Sequence, residues 1–439
     1  MSKTFHIVTF GCQMNKLDSE LVEGALLARG LRPAASPEQA DVIIYNTCSV
    51  RQHAEDRVLS NLGRWRKRAQ RDPDLIVCVM GCMAQRLGQQ IADRYPYVRL
   101  VCGTQAFLKV PDYLEQIALT GRPVVAVDEG PLELTGLERA PVKGHHAFVS
   151  IMRGCDNYCT YCVVPYVRGR QASRPLGSIL AEVRRLAEGG VIEVTLLGQN
   201  VNSYGKDRDD GASLGQLLEL VNAVDALRRI RFLTNHPMDM TEDIFHAVAD
   251  MEKVCEHVHM PAQSGSDAVL GRMNRRYTRE QYLALIEMGR RIVPGIEFAG
   301  DFIVGFPGET DEEFEQSLSL LRQVRYQQSF IFRYSPRPGT RAARREDDVP
   351  DDVKRERQQA LLDAQEQIDT ERRASLVRST VEVMCDGQNR GKSHEGEFMG
   401  RTRQNDIVVF SGTETPPGTV CRVSIESSTA LTLFGRRAT

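Results

Sequence analysis

The 439-residue sequence lacks what a membrane or export route would demand. No apolar run approaches the roughly 18 consecutive residues of a spanning helix. Met1–Phe10 has neither the apolar core nor the flanks of a secretion signal. Charge of one sign is also missing: 56 Lys and Arg against 58 Asp and Glu leave a formal net charge of −2, so any surface for a polyanion must be a local patch. Aromatic residues are 6% of the chain with a single Trp, and the absence of a P-loop gives no indication of nucleotide hydrolysis. These absences lead us to expect a cytoplasmic protein without membrane contact, in a compartment where disulfides are rare. Eleven cysteines in such a chain need another explanation, and metal binding is the leading one.

Hydrophobic content of 41% and charged content of 26% suit a globular protein, and the length suggests two or three domains. Over residues 1–120, short apolar strands (His6–Phe10, Asp41–Tyr45, Leu75–Met80, Arg99–Cys102) alternate with helices. One helix is expected near Ser19–Arg29, capped by Asp18 or Ser19 and stopped by Gly30; another runs through Arg68. This pattern predicts an α/β, doubly wound parallel sheet. Gly121–His146, rich in Pro, Gly and charge, reads as a connector. A second α/β series follows, with strands at Phe148–Met152, Glu193–Leu197, Arg229–Thr234, His257–Met260, Glu297–Val304 and Ser329–Tyr334. Six units are too few for a closed eight-fold barrel, so residues 141–373 are expected to form a partial (β/α)6 barrel ending in the charged helix Asp351–Arg373. Residues 374–439 switch to short strands (Thr380–Cys385, Asp406–Phe410, Val420–Ile425, Leu431–Phe434), a small all-β barrel.

Cys155, Cys159 and Cys162 have the spacing C-x3-C-x2-C in a loop directly after the first strand of the second series. Three soft thiolates so close suit an iron–sulfur cluster. A structural zinc site would close with a fourth protein ligand, whereas three thiolates leave one iron open for a small molecule. Cys12, Cys48 and Cys82 each follow a different strand of the first sheet. Ligands in parallel sheets gather beyond the carboxyl strand ends, so these three are expected to meet, with Gly11 and Gly81 permitting tight turns; small buried cysteines are the plain alternative. Cys78 lies mid-strand and reads as core. Cys102 is either core, the favoured reading, or a fourth ligand; Cys255, Cys385 and Cys421 read as structural.

Gly154-Cys155-x3-Cys159-x2-Cys162 resembles the radical S-adenosylmethionine (SAM) signature. With Thr9-Phe10-Gly11-Cys12-Gln13-Met14-Asn15, Asn46-Thr47-Cys48 and Gly81-Cys82, the whole chain resembles the methylthiotransferases. The resemblance implies an N-terminal cluster domain, a radical SAM core and a C-terminal TRAM domain. It implies two 4Fe–4S clusters, one on Cys155, Cys159 and Cys162 that cleaves SAM to a radical, and an auxiliary one on Cys12, Cys48 and Cys82 that carries or supplies sulfur. Thr160–Arg170 and the residues around Cys12 are most similar to the branch that modifies carbon 2 of dimethylallyladenosine beside the anticodon of tRNA. The same chemistry on threonylcarbamoyladenosine or a ribosomal protein is the alternative; a zinc-stabilised RNA-binding protein is a third, non-enzymatic one. Further implied partners are the tRNA anticodon loop and a small electron-transfer protein, with the enzyme acting as a monomer.

Weaker signals concern SAM and RNA. Gln199, after the second barrel strand, is the expected contact to the SAM amino group. Asp301–Glu309 partly matches the family's adenine-contact motif, giving Gly305 and Pro307 as cofactor candidates, although Asp301 stands where Gly is usual, and a plain turn is as good a reading. Pro261–Ser266, a comparable loop after the fourth barrel strand, either serves SAM through its polar side chains or caps the next helix through Ser266. For RNA, Arg401 and Arg403 in Gly400–Asn405 resemble the binding face of TRAM and are expected to open a strand. The basic segment Arg64–Arg68 around the only Trp is either an RNA contact or a solvated helix face. From Ala374 onward, 8 Lys and Arg face 7 Asp and Glu, so phosphate contact would come from a few placed arginines.

Overall fold

The computed structural model describes residues 3–49, 52–127, 130, 139–142, 144–389 and 396–438. Within the expected connector, Gly121–His146, residues 128, 129, 131–138 and 143 lie outside the described residues, and Val124–Ala126 form a strand of the first sheet instead of a linker. The chain forms two compact units. One comprises Met1–Val142, Phe148–Asp156 and Cys162–Ile179; the other comprises Lys143–Ala147, Asn157–Tyr161 and Leu180–Thr439.

In the first unit, β1 (Thr4–Phe10), α1 (Gln13–Ala28), β2 (Arg32–Pro33), β3 (Val42–Thr47), α2 (Gln52–Arg71), β4 (Ile76–Gly81), α3 (Cys82–Leu87), α4 (Gln89–Arg94), β5 (Val98–Cys102), α5 (Val110–Thr120) and β6 (Val124–Ala126) follow in chain order. The strands make one parallel sheet ordered β2-β1-β3-β4-β5-β6. β3 and β4 are buried at every position because helices cover both faces. One face packs Ile44, Cys78, Leu100 and Cys102 against α1 and α5; the other packs Tyr45, Val77 and Val79 against α2. Cys78 and Cys102 are thus core residues. Trp65 is core as well, its Nε1 donating to the Tyr45 hydroxyl at 2.7 Å. Arg68 turns back to the carbonyls of Pro37 and Ala40, so the basic segment offers no open indole for stacking.

The first helix corrects the sequence reading. It begins at Gln13 with Cys12 as its N-cap, six residues before the expected start at Ser19. Asp18 is no cap: it lies within the helix, buried in an ion pair. A buried acid and small polar residues in the first turns hid the helical period there.

Next come β7 (His146–Ser150), β8 (Met152–Arg153), α6 (Val164–Arg168), β9 (Ala172–Ser173) and α7 (Leu176–Glu188). The second unit continues with β10 (Glu193–Leu197), α8 (Leu214–Asn222), β11 (Arg229–Phe232), α9 (Glu242–Asp250), β12 (His257–His259), α10 (Asp267–Arg272), α11 (Arg279–Ile292), β13 (Glu297–Val304), α12 (Asp311–Val324), β14 (Gln328–Arg333) and α13 (Asp351–Ser375). β10 and β11 pair in parallel, as do β12, β13 and β14, and a parallel bridge between Ile230 and Val254 carries the series across. Thr278 and Thr310 form capping boxes, and Ser266 caps α10 as expected.

A closed barrel ends the chain: β15 (Thr380–Gln388), β16 (Glu397–Arg401), β17 (Ile407–Ser411), β18 (Val420–Ser428) and β19 (Thr432–Arg437), ordered β15-β16-β17-β19-β18. Gly400–Arg401 close β16 rather than open a strand, and Thr402–Asn405 form the turn that follows, with Asn405 at φ 71°. Arg229, 1% exposed, reaches this barrel from the first position of β11, bonding the Arg401 carbonyl at 2.7 Å and Glu382 at 2.9 Å. Arg231 donates to the carbonyls of Thr402 and Arg403 at 2.8 and 2.7 Å. The terminal barrel is therefore fastened at the amino ends of the β/α strands, which leaves their carboxyl ends for a site.

Candidate functional site

Phe10 pairs with Thr47 and Thr47 with Gly81, so β1, β3 and β4 end level. Cys12, Cys48 and Cys82 come directly after those three ends, which brings them to one edge of the sheet. The Cys48 side chain hydrogen-bonds Cys12, and Cys12 and Cys82 interact electrostatically. Cys48 and Cys82 are buried, while Cys12 is partly exposed.

Asparagines hold the loops together. The Asn15 Oδ1 accepts from the Cys12 amide at 3.3 Å and from its thiol at 3.2 Å; the Asn15 Nδ2 donates to the Asn46 Oδ1 at 3.0 Å, and the Asn46 Nδ2 returns to the Asn15 carbonyl at 2.8 Å. A Cβ on Gly11 would stand 2.5 Å from the Asn15 Oδ1, and one on Gly81, at φ 94°, would overlap the Asn46 Oδ1. Both glycines and both asparagines thus serve one network, which explains why Gly11-Cys12 and Gly81-Cys82 carry glycine before cysteine.

Beneath the thiols lies a buried ion cluster that sequence reasoning missed. Asp18 accepts from Arg153 and, at 3.0 Å, from the Arg168 Nη2. The hydrogen bond from Cys48 and the Arg168 charge pull the Cys12 thiol down to about 6 against the opposing effect of burial, while burial pushes Cys82 up with Arg168 opposing. In metal-free protein, alkylation of Cys12 is expected to plateau above about pH 6, whereas an ordinary thiol keeps gaining reactivity up to 9.0; peptide mass spectrometry after pulses of iodoacetamide checks this. The folded value lies below the unfolded one, so this thiol's contribution to stability is full above about pH 9 and is lost as pH falls through about 6.

The residues fit a cluster. Thr47 Oγ1 and Ser49 Oγ are buried without a partner at hydrogen-bond geometry, leaving donors for an electron-rich group beside the thiols. Among the described residues no group of three or more His, Cys, Asp or Glu side chains is already placed to hold a metal ion.

Cys155, Cys159 and Cys162 lie on the loop between β8 and α6, the first and third in the first unit and the second in the other. Cys155 is buried, its amide bonded to the Gly169 carbonyl at 3.3 Å. The Cys159 Sγ accepts from the Arg275 Nη1 at 3.4 Å, and Arg275 is held by the Tyr277 hydroxyl and the Pro261 carbonyl. Arg275 carried no sequence signal because it lies more than a hundred residues away.

Gln199 follows β10 at its carboxyl end; the adjacent Asn200 is fixed by Asp239 at 2.7 Å. The Gly305 amide donates to the Glu309 Oε2 at 2.6 Å, Pro307 is buried, and Glu309 pairs with Arg357 of α13 at 2.9 Å. This turn is fixed to α13 whatever else it does. The register of β12, β13 and β14 puts His259, Asp301, Ile303, Phe330 and Phe332 on one face. His259 Nε2 and Asp301 Oδ1 are 3.4 Å apart, the His259 and Phe330 rings meet edge to face at 6.3 Å, and Phe330 and Phe332 stay 39% and 41% exposed. A parallel sheet normally covers both faces, so this one is open to a flat ligand. Arg401 is partly exposed and bonds Asn405, whereas Arg403 is taken up by Glu256 at 2.6 Å and the Val254 carbonyl at 2.7 Å.

Comparison with known proteins places the fold and the family of the chain. Residues 4–103 match the uncharacterized protein family UPF0004, residues 149–321 the radical SAM superfamily and residues 374–437 the TRAM domain. The chain is 45% identical over 437 residues to the tRNA-2-methylthio-N(6)-dimethylallyladenosine synthase of Moorella thermoacetica, covering 99% of this chain and 98% of that one. It is 44% identical to the Syntrophotalea carbinolica protein of the same name, over 96% and 97% of the two chains. Among solved structures, the radical S-adenosylmethionine methyltransferase TsrM from Kitasatospora setae shares the fold with a TM-score of 0.56 and 14% identity, over 78% of this chain and 77% of that one. The three matched domains and the full-length identity together place this chain in the radical SAM methylthiotransferase family, to which it belongs.

Proposed function

We propose that the protein replaces the hydrogen on carbon 2 of dimethylallyladenosine, next to the tRNA anticodon, with a methylthio group. The observation that carries this reading is the meeting of Cys12, Cys48 and Cys82 at one sheet edge, in a chain that also holds Cys155, Cys159 and Cys162 on a signature loop. Each trio would hold a 4Fe–4S cluster. When bound, SAM and the clusters supply the radical, the sulfur and the methyl group, chemistry that no protein side chain provides.

The chain's own residues hold, orient and shield. Arg275 orients Cys159, and the asparagine pair fixes the loops of Cys12 and Cys48. Gln199, Gly305 and Pro307 are the proposed SAM contacts. The open face of Phe330 and Phe332 suits a purine with an apolar arm, since loop bases are read by being splayed out and stacked. Arg401 is the proposed phosphate contact in the TRAM barrel; Arg403 would first have to release Glu256. The proposed domains are 1–120, 141–373 and 374–439. A small electron-transfer protein as donor, a cytoplasmic setting and a monomeric enzyme complete the proposal; among the described residues no helix is long and apolar enough to cross a membrane.

Mass spectrometry of bulk tRNA nucleosides from a deletion strain tests it. The expected result is loss of 2-methylthio-dimethylallyladenosine with accumulation of dimethylallyladenosine. An unchanged methylthiolated pool would overturn the substrate assignment.

A further inference from the structure

Asp18, Arg153 and Arg168 are all at most 5% exposed, and they carry two positive charges against one negative. A buried charge without a partner costs several kcal/mol, so the excess cation requires a nearby anion. Among the described residues Arg153 and Arg168 form no ion pair with any carboxylate but Asp18, and the Phe107 ring under Arg153 at 4.8 Å holds a guanidinium without neutralising it. The groups facing Arg168 are Cys12 and Cys82. Asp18 takes its Nη2, and the side chain also hydrogen-bonds the Cys82 thiol. Its position is fixed from behind. The Gln105 Nε2 holds the Arg168 carbonyl at 3.1 Å, the Thr104 hydroxyl holds the Val167 carbonyl, and Val163 and Val167 pack on Cys82.

We propose that Arg168, oriented by Asp18 and backed by Arg153, is the positioning cation of the auxiliary centre, offsetting its thiolate charge and setting its reduction potential. This rests on Cys12, Cys48 and Cys82 being that centre's ligands. Reduction adds an electron to a group already carrying thiolate charge, and a fixed cation nearby favours the reduced form; net charge and hydrogen bonding to the sulfurs are the protein's means of tuning such potentials. Arginine suits the position because it keeps its charge when buried.

The test uses the full chain carrying Cys155→Ala, Cys159→Ala and Cys162→Ala, reconstituted without oxygen so that only the auxiliary centre remains. About four irons per chain should be bound, and adding Cys12→Ala should remove them. Iron unaffected by Cys12→Ala would sink the ligand assignment and say nothing against Arg168 as a charge. A redox titration followed by electron paramagnetic resonance then reads the potential. Arg168→Gln is expected to change the oxidised-to-reduced ratio at fixed potential at least tenfold toward oxidised, about 59 mV for one electron, and Arg168→Lys to recover most of it. An iron-loaded Arg168→Gln protein with an unchanged midpoint overturns the proposal. If Arg168→Gln does not load, Arg168→Lys decides: iron retained with a midpoint near the parent's supports a role for charge, and iron lost there too overturns it.

Discussion

Cys159→Ala is expected to abolish both SAM cleavage and methylthiolation, whereas Cys12→Ala should keep SAM cleavage and stop sulfur insertion. The two trios are built by different means, so their losses should separate. Cys159 lies in the part of its loop that belongs to the second unit and is held by Arg275, itself tied to Tyr277 and Pro261. Cys12 caps α1 and is tied to Asn15, Asn46 and the edge of the parallel sheet. On the proposed assignment, removing either thiol takes a ligand from its own cluster and leaves the other trio's supports in place. Iron should fall from about eight to about four per chain in each variant, with 5′-deoxyadenosine measured by chromatography and the methylthiolated nucleoside by mass spectrometry. Loss of 5′-deoxyadenosine formation in Cys12→Ala would contradict the division of labour between the two trios.

What could be read from the sequence differs by element for physical reasons. Strands rich in apolar residues announce themselves as short continuous runs, and Glu297–Val304 and Glu193–Leu197 fall where the pattern put them. Placing Cys12, Cys48 and Cys82 after strand ends needed only the rule that parallel strands present their carboxyl ends together, and the sheet order β1-β3-β4 makes those ends neighbours. The supports were not legible in that way. Asp18 looked like a helix cap because its partners, Arg153 and Arg168, are 135 and 150 positions away. Arg275 had the same concealment. Arg403 looked as open as Arg401 because charge shows in a sequence and the pairing of Arg403 with Glu256 does not. The asparagines could have been found: Asn15 and Asn46 sit in the same short motifs as Cys12 and Cys48. A buried amide in a motif implies a defined hydrogen-bond partner.

Gly154→Ala should be severely damaging although it leaves every cysteine in place. Gly154 has φ 72°, a region that costs a residue with a Cβ about 1–3 kcal/mol. Strain alone would be tolerable against a typical folding free energy of about 5–15 kcal/mol. The contact is the larger problem, because the added Cβ would overlap the backbone carbonyl of Arg170 and crowd that of Gly169. Rotating a side chain cannot relieve a clash between Cβ and backbone, so one strand of the loop must move. Gly169 also accepts from the Cys155 amide at 3.3 Å, and Cys155 is the next residue along the chain. Moving either segment therefore moves the first thiol of the signature. Gly154→Ala should consequently behave like a cysteine variant at this cluster: about four irons lost, SAM cleavage gone, and the Cys12 trio still able to bind iron. An iron assay and SAM-cleavage measurement on anaerobically reconstituted Gly154→Ala protein decide the matter. Full iron content with undiminished cleavage would mean that the loop can shift at no cost to the signature cysteines, against the packing seen between Gly154 and Arg170.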